Sequence, residues 1–299
     1  MDQKLHGRWG PTLLVNGKSE RTMELQAGAL HRFRFVNTAN LRYFNLTIPG
    51  YTWRIIGTDG SLFEKPFDTD HLLIGPAERY DALLIPKGES GTQLVLQSDS
   101  YQRADDDPQP ATKVMTFAIS SEPALTGRTL PDSLPGVGVP RIAVPPGDPL
   151  EIELDQGFVG GTEGYSLPPM DGMSTPMKGD PVFVINKKAG VDIPPIAVDV
   201  DGVRAFHIHN VSHQIHIFHL HGFFFQIVDT DDRFDKALNP LGLHPEIYAQ
   251  AYKDTITVRS GYSVTIVGKF DSPGKWMFHC HIPEHSERGM MAEVHVGVP

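Results

Sequence analysis

Residues 279–291 read HCHIPEHSERGMM and contain the only cysteine of the 299-residue chain. Cys280 stands between His279 and His281, with His285 five residues on and Met290 ten residues on, so thiol, imidazole and thioether donors crowd into one short segment. A second run, HIFHLHG, supplies His216, His219 and His221. On a β-strand, residues two apart share a face and the residue between them points the other way. His279 and His281 are therefore expected on one side of their strand and Cys280 on the other. His219 and His221 likewise share a face, while His216, three residues back, can turn to the opposite one. Two metal sites joined through one residue follow. A thiolate with two imidazoles and a weak axial thioether is the donor set of a blue-copper electron-transfer site. Cys280, His216, His285 and Met290 fill those roles, with Met290 preferred to Met291 on spacing. The other site has imidazoles only, from His219, His221, His279 and His281, and suits copper or zinc, with affinity favouring copper. Zinc is the rival metal, although zinc motifs tend to pair cysteines as C-x-x-C. A lone Cys is also a good small core residue, and Met290 or Met291 a gap filler.

The elements that must position these residues are short. Runs such as HRFRFVNTA, DALLIP, TQLVLQS, DTITVRS and YSVTIVGKF alternate apolar and polar residues between Gly, Pro, Asp and Asn. Period-2 alternation at this spacing predicts an all-β sandwich or barrel. The chain length suits two domains, each burying its own core. From Ser121 to Pro149 the sequence is too rich in Pro and Gly for a helix or central strand, which places a linker at 121–140 between domains at 1–120 and 141–299. The two halves also resemble each other. Residues 33–60 can be laid over 206–232, matching Asn37 to Asn210 and, with one inserted residue, Trp53-Arg54-Ile55 to Phe225-Gln226-Ile227. The overlay sets Tyr43, Leu46 and Ile48 against His216, His219 and His221, and Leu96, Gln97 and Ser98 against His279, Cys280 and His281. The Cys/His set occurs in the second copy alone, so it does more than hold a duplicated scaffold.

The pair HIFHLHG and HCHIPEHSERGM resembles the C-terminal copper-binding signature of the multicopper oxidases, the laccase-like family of three-domain bacterial type. That family is built of cupredoxin domains, Greek-key β-sandwiches or barrels. The likeness covers almost the whole chain: residues 1–120, opening at GPTLLVNG, resemble the family's ligand-free middle domain, and 141–299 its last domain. It implies a type 1 copper at Cys280, His216, His285 and Met290. It also implies that His219 is a type 2 ligand and that His221, His279 and His281 are type 3 ligands of a trinuclear copper cluster. In the family a small reducing substrate gives an electron to the type 1 copper, the electron crosses from Cys280 to His279 and His281, and four such electrons reduce dioxygen to water. A full cluster takes eight histidines, of which the first domain brings two His-x-His pairs. The expected partner is therefore such a domain, without which the chain should not sustain dioxygen reduction. The spare pair, His207-x-His209, lies where the repeat has Arg34 and Val36, and is not assigned to metal. Ile217 replaces a proline common in the first motif. Ser286 follows His285 where many bacterial relatives carry a glutamate thought to relay protons, leaving Glu284 or Glu287 as substitutes.

A formal charge of −10 with no Lys/Arg run excludes a nucleic-acid or anionic-membrane surface. No stretch approaches the roughly 18 apolar residues of a membrane helix, so a soluble chain is expected. One cysteine excludes an internal disulfide. No targeting segment is visible, although family members are commonly exported to the periplasm or beyond. The function classes are a laccase-type oxidase of phenols, aromatic amines or low-valent metal ions, and a non-enzymatic copper or electron-transfer module when the chain is alone. The two-domain copper nitrite reductases rank below both, because their blue site lies in the first domain and no His flanks the Cys on both sides. LPPMDGMSTPMKG places Met170, Met173 and Met177 in a Pro/Gly-rich segment. Thioethers are soft Cu(I) ligands, so a copper-substrate role stands beside that of a plain covering loop. HGFFFQIV is expected to be a strand with Phe223 and Phe225 on one face and Phe224 on the other, serving core packing.

Overall fold

The computed structural model describes residues 5–102, 108–168, 176–230 and 248–298. In the first half, one sheet has the order β1 (Thr22–Leu25), β11 (Thr112–Ile119), β8 (Gln93–Ser98), β3 (Phe44–Thr47), β6 (Leu72–Ile74). It faces a sheet of β2 (His31–Val36), β7 (Arg79–Leu84), β4 (Trp53–Thr58) and β5 (Ser61–Thr69), and a short pair joins β9 (Tyr101–Gln102) to β10 (Pro108–Gln109). The second half repeats the plan. One sheet runs β14 (Ile196–Val198), β21 (Met291–Val296), β20 (Gly274–Cys280), β16 (His216–Leu220), β18 (Thr255–Val258). The other runs β13 (Pro181–Ile185), β12 (Leu150–Phe158), β15 (Gly202–Asn210), β19 (Ser263–Phe270), β17 (Phe225–Thr230). β1 pairs with β11 in parallel, and β14 with β21 in parallel, at the same edge of the matching sheet. The molecule is all-β as expected, with two cupredoxin-like halves.

Alternation explains the strands. β2 is half-buried at every second residue, and β8 buries Leu94, Leu96 and Ser98 while Val95 and Gln97 face outward. Inside the first half, the buried Trp53 lies edge-on to both Phe33 and Phe35, and Phe33 packs on Phe117 in turn. Such rings bury large areas and add geometric preference to the core. No strand lies between Ile119 and Leu150, yet that segment is pinned to both halves. Leu125 N donates to Ala27 O and Leu134 N to Glu64 O in the first half, and the buried Gln226 of the second half bonds both Ile142 N and Pro140 O.

The duplication extends to single hydrogen bonds. Asn37 Nδ2 donates to Arg42 O and Ile74 O while its Oδ1 accepts from Ala39 N. Asn210 does the same with Gln214 O, Val258 O and Ser212 N. A β-bulge follows Ile55 in β4 and Ile227 in β17. These landmarks correct the overlay at the site strands by one residue. Arg42 matches Gln214, so the extra residue of the first half lies in the turn before β3 and not after it. Phe44 then stands where His216 stands, and Thr47 where His219 stands. Leu46 pairs with Ser98 as Phe218 pairs with Cys280, so Ser98 occupies the place of Cys280 and Gln97 that of His279. A one-residue slip exchanges the two faces of a strand, which is why Gln97, facing outward, cannot be the counterpart of the buried Cys280.

One expected strand starts late. Phe223 and Phe225 are buried and Phe224 is 41% exposed, as alternation requires, but β17 begins only at Phe225. Gly222 takes a φ of 77° before it, a left-handed turn that the preceding His-Leu-His run does not announce. Phe224 stacks on Tyr252 with 5.6 Å between ring centroids.

Candidate metal centre

β16 and β20 lie side by side and carry both histidine motifs. Their register sets Phe218 opposite Cys280 and His219 opposite His279. His216 and Cys280 thus face the interior of the second half, while His219 and His279 face away from it. His285 reaches the inner group from α1 (Pro283–Ser286), a single turn that starts with Pro at its first position, where the missing N–H costs nothing. Met290 N donates to His285 O and Cys280 N to Met290 O, so Met290 is tied to both neighbours and is fully buried, whereas Met291 opens β21 opposite His279.

In the inner group, His216 Nδ1 and His285 Nδ1 are 3.1 Å apart, and Cys280 Sγ lies 3.7 Å from the first and 3.6 Å from the second. The far nitrogens define the tautomers. His285 Nε2 is 3.2 Å from Leu5 O, a carbonyl that only accepts, so Nε2 carries the proton. His216 Nε2 is 2.8 Å from Ser212 Oγ, whose own hydrogen has acceptors in Asn210 Oδ1 at 2.7 Å and Gln214 O. Ser212 therefore accepts from His216 Nε2–H. Both Nδ1 atoms are left with bare lone pairs aimed at one another and at sulfur. Facing lone pairs repel unless a cation lies among them, and two imidazoles, a thiol and an adjacent thioether are the soft donors that suit copper. The residues fit a copper ion. Backbone N–H groups of Ile217 and Ile282 point at the sulfur, but burial dominates and pushes the metal-free Cys280 thiol up to about 12. Burial lowers His216 to about 3, which keeps it neutral and available as a ligand. Phe183 stacks on His285 at 3.9 Å and walls the group off from water.

The outer group joins His219, His221 and His279, whose donor atoms all lie within 4.8 Å of one another. His221 Nε2 and His279 Nε2 are 2.8 Å apart. His279 Nδ1 donates to Cys280 O at 2.8 Å, so its Nε2 bears the lone pair. His281 lies beside them, its ring 5.5 Å from that of His219 and 5.8 Å from that of His279, with its nitrogens outside the tight triad. Burial lowers His279 to about 4 and also lowers His219 and His281, which keeps these three imidazoles neutral at physiological pH. A neutral imidazole with a bare inward nitrogen, as at His279, fits a copper or zinc ion.

Other expected residues are placed apart. His207 and His209 lie on the outward face of β15, with His207 bonded to Glu151, away from both groups. Met177 is 66% exposed, and Met170 and Met173 lie outside the described residues. Ser286 Oγ donates to Pro283 O, and Glu284 is buried with Oε1 on Arg8 Nε at 2.7 Å. Sequence reasoning missed Ser212 and Asn210 behind His216, and Asp254, Thr255, Arg79 and Asp59 behind His219. A signal existed in YKDTITV, where two charges interrupt the start of an apolar strand.

A duplicated cupredoxin-like scaffold with a Cys/His/Met centre and a second histidine centre joined through Cys280 defines a copper-type redox protein. Two multicopper oxidase family models match, one over residues 3–121 and one over 165–299. The chain belongs to the multicopper oxidase family. It is 26% identical over 294 residues to a laccase of Bacillus stratosphericus, covering 94% of this chain and 54% of that protein. A laccase of Bacillus subtilis is 25% identical over 296 residues, covering 97% of this chain and 55% of the other. Among solved structures, a Campylobacter jejuni multicopper oxidase described as a metallo-oxidase superposes with a TM-score of 0.72 at 27% identity, covering 99% of this chain and 59% of that one. The chain spans about half the length of the curated relatives it matches.

Proposed function

We propose that this chain is the electron-accepting part of a laccase-type oxidase, with a ligand-free domain at 1–120, a linker at 121–140 and a copper-binding domain at 141–299. In this reading Cys280, His216, His285 and Met290 hold a type 1 copper, and His219, His221, His279 and His281 hold part of a trinuclear cluster, His219 on the type 2 ion. The copper ions, when bound, supply the one-electron steps that couple oxidation of a reducing substrate to reduction of dioxygen to water. The substrate class is a phenol, an aromatic amine or a low-valent metal ion. One observation carries the reading: Cys280 belongs to the inner group, and its own carbonyl receives the Nδ1–H of His279 from the outer group at 2.8 Å. A covalent path and a hydrogen-bonded path thus join the two groups across a single residue.

The chain's residues otherwise hold and exclude. Phe183 and the buried core keep water from His285, Ser212 turns the lone pair of His216 inward, and Cys280 O does the same for His279 through its Nδ1. The four outer histidines are half of the family's set, so a further domain with two His-x-His pairs completes the cluster. The test is copper loading of the purified 299-residue chain. A blue protein that a phenol bleaches, that stays bleached in air, and that turns over dioxygen once a domain with two His-x-His pairs is added supports the reading. A colourless protein holding one tight zinc overturns it, and sustained dioxygen uptake by the chain alone overturns the need for further ligands.

A further inference from the structure

The first half of the chain supplies none of the residues of the two groups, yet it reaches the outer one. His219 Nδ1 lies 2.9 Å from Asp254 O and 2.9 Å from Thr255 Oγ1. The carbonyl only accepts, and the Thr255 hydroxyl spends its single hydrogen on Asp254 Oδ1 at 2.8 Å, so the proton between these atoms belongs to His219 Nδ1. Nε2 is left bare on the side of His221, His279 and His281. Asp254 is in turn held from across the molecule. Arg79, in β7 of the first half, grips its carboxylate with two parallel bonds, Nη1 at 2.6 Å and Nη2 at 2.7 Å. That fork fixes orientation as well as distance. Asp59, also from the first half and with a fully buried side chain, receives both Asp254 N and Thr255 N on Oδ2 at 3.3 Å and takes Lys253 Nζ at 3.1 Å. The peptide that holds His219 is therefore clamped at its side chain and at its amides by the half that supplies no residue of either group. His279, by contrast, is oriented by the carbonyl of its own neighbour.

A purely structural role, joining two halves by ion pairs, would not require that the clamped carbonyl be the one bonded to an imidazole. We propose that Arg79 and Asp59 are positioning residues for His219: by fixing Asp254 and its peptide they hold the ring in its Nδ1–H form and aim Nε2 at the outer histidines. The first half then takes part in building the metal centre. This rests on the proposed role of His219 as a ligand.

The experiment uses the full chain with 15N-labelled histidine, first free of metal. His219, assigned by the loss of its signals in His219→Gln, should show an Nδ1-bound proton protected from solvent exchange. Arg79→Gln should speed that exchange about tenfold or more, and Arg79→Lys, which keeps the charge but loses the fork, should give an intermediate rate. In a Cys280→Ser background, Zn(II) as a redox-silent probe should bind the outer histidines roughly 10- to 100-fold more weakly when Arg79 is changed to Gln. Blue absorbance of the copper-loaded Cys280 form of Arg79→Gln should be unchanged, which separates positioning from loss of fold. Should Arg79→Gln not fold, the exchange rate in Arg79→Lys decides. A proton on Nε2 of His219 in the parent chain, or a folded Arg79 variant with parent exchange and parent Zn(II) affinity, would overturn the proposal. Failure of the ligand reading has its own mark: Zn(II) affinity untouched by His219→Gln, whatever the exchange result.

Discussion

At the scale of the residue, Cys280 can be compared with its own counterpart. Ser98 sits at the same place in the first half, buried, with its Oγ accepting from Asn45 N at 2.9 Å. Cys280 Sγ receives the matching amide, that of Ile217. Cys280→Ser therefore puts the sister residue into the sister environment. It should cost no more than about 1–2 kcal/mol of stability, of the order of one hydrogen bond, while abolishing the intense visible band of the copper-loaded chain. Paired denaturant melts and visible spectra check both halves of that statement. Met290 offers a second contrast. It is fully buried and tied through its backbone to His285 and Cys280, whereas Met291 starts the strand opposite His279. Met290→Leu keeps the volume but removes a weak donor to Cu(II). The site should stay blue with a raised reduction potential, and Met291→Leu should leave the potential where it was. A redox titration of the blue band that ranks the two variants the other way would reassign the axial ligand.

At the scale of the element, the strands place donors by alternation, but their ends decide which donors meet. β16 stops at Leu220, and the left-handed Gly222 turns the chain immediately after His221. A Cβ at Gly222 would come within 2.2 Å of the Trp276 ring, which packs against Phe223. Gly222→Ala therefore meets both an unfavourable φ and a rigid aromatic neighbour. The loss should exceed the roughly 1 kcal/mol of the backbone strain alone and reach about 2–4 kcal/mol once the clash is included. Because His221 is the adjacent residue, Zn(II) binding at the outer histidines should weaken as well. A denaturant midpoint equal to that of the parent would mean the turn yields more easily than the packing suggests.

At the scale of the whole molecule, buried neutral imidazoles couple stability to pH. In the metal-free chain, burial holds His216 near 3 and His279 near 4, below the ordinary 6.5. Well above pH 6.5 neither the folded nor the unfolded chain is protonated there, so the full stability is present. Below it the unfolded chain binds protons that the folded chain refuses, and stability falls with pH until the folded values are reached. Between pH 7 and pH 5 the metal-free chain should lose about 2 kcal/mol through His216 alone, with His279 adding to it. Chemical denaturation at the two pH values, read against His216→Gln, isolates that share. Equal midpoints at pH 7 and pH 5 would show that the inner group is more open to water than its burial indicates.

Donor identity and donor face were legible in the sequence, because period-2 alternation assigns Cys280 to one side and His279 and His281 to the other without reference to any distant residue. The duplication was legible too, through Asn37 and Asn210. Register was not. Patterned strands fit nearly as well after a one-residue slip, and only the backbone hydrogen bonds set Ser98 against Cys280. Tertiary structure alone decided the tautomers, since the proton of each imidazole goes where a distant acceptor lies: Ser212 for His216, Leu5 O for His285, Asp254 O for His219. It also decided that Arg79 would stand behind His219 through Asp254, a residue 175 positions away. Local pattern carries which way a side chain points. What it points at depends on how two sandwiches dock, and that docking is set by the summed packing of surfaces that no short stretch of sequence contains.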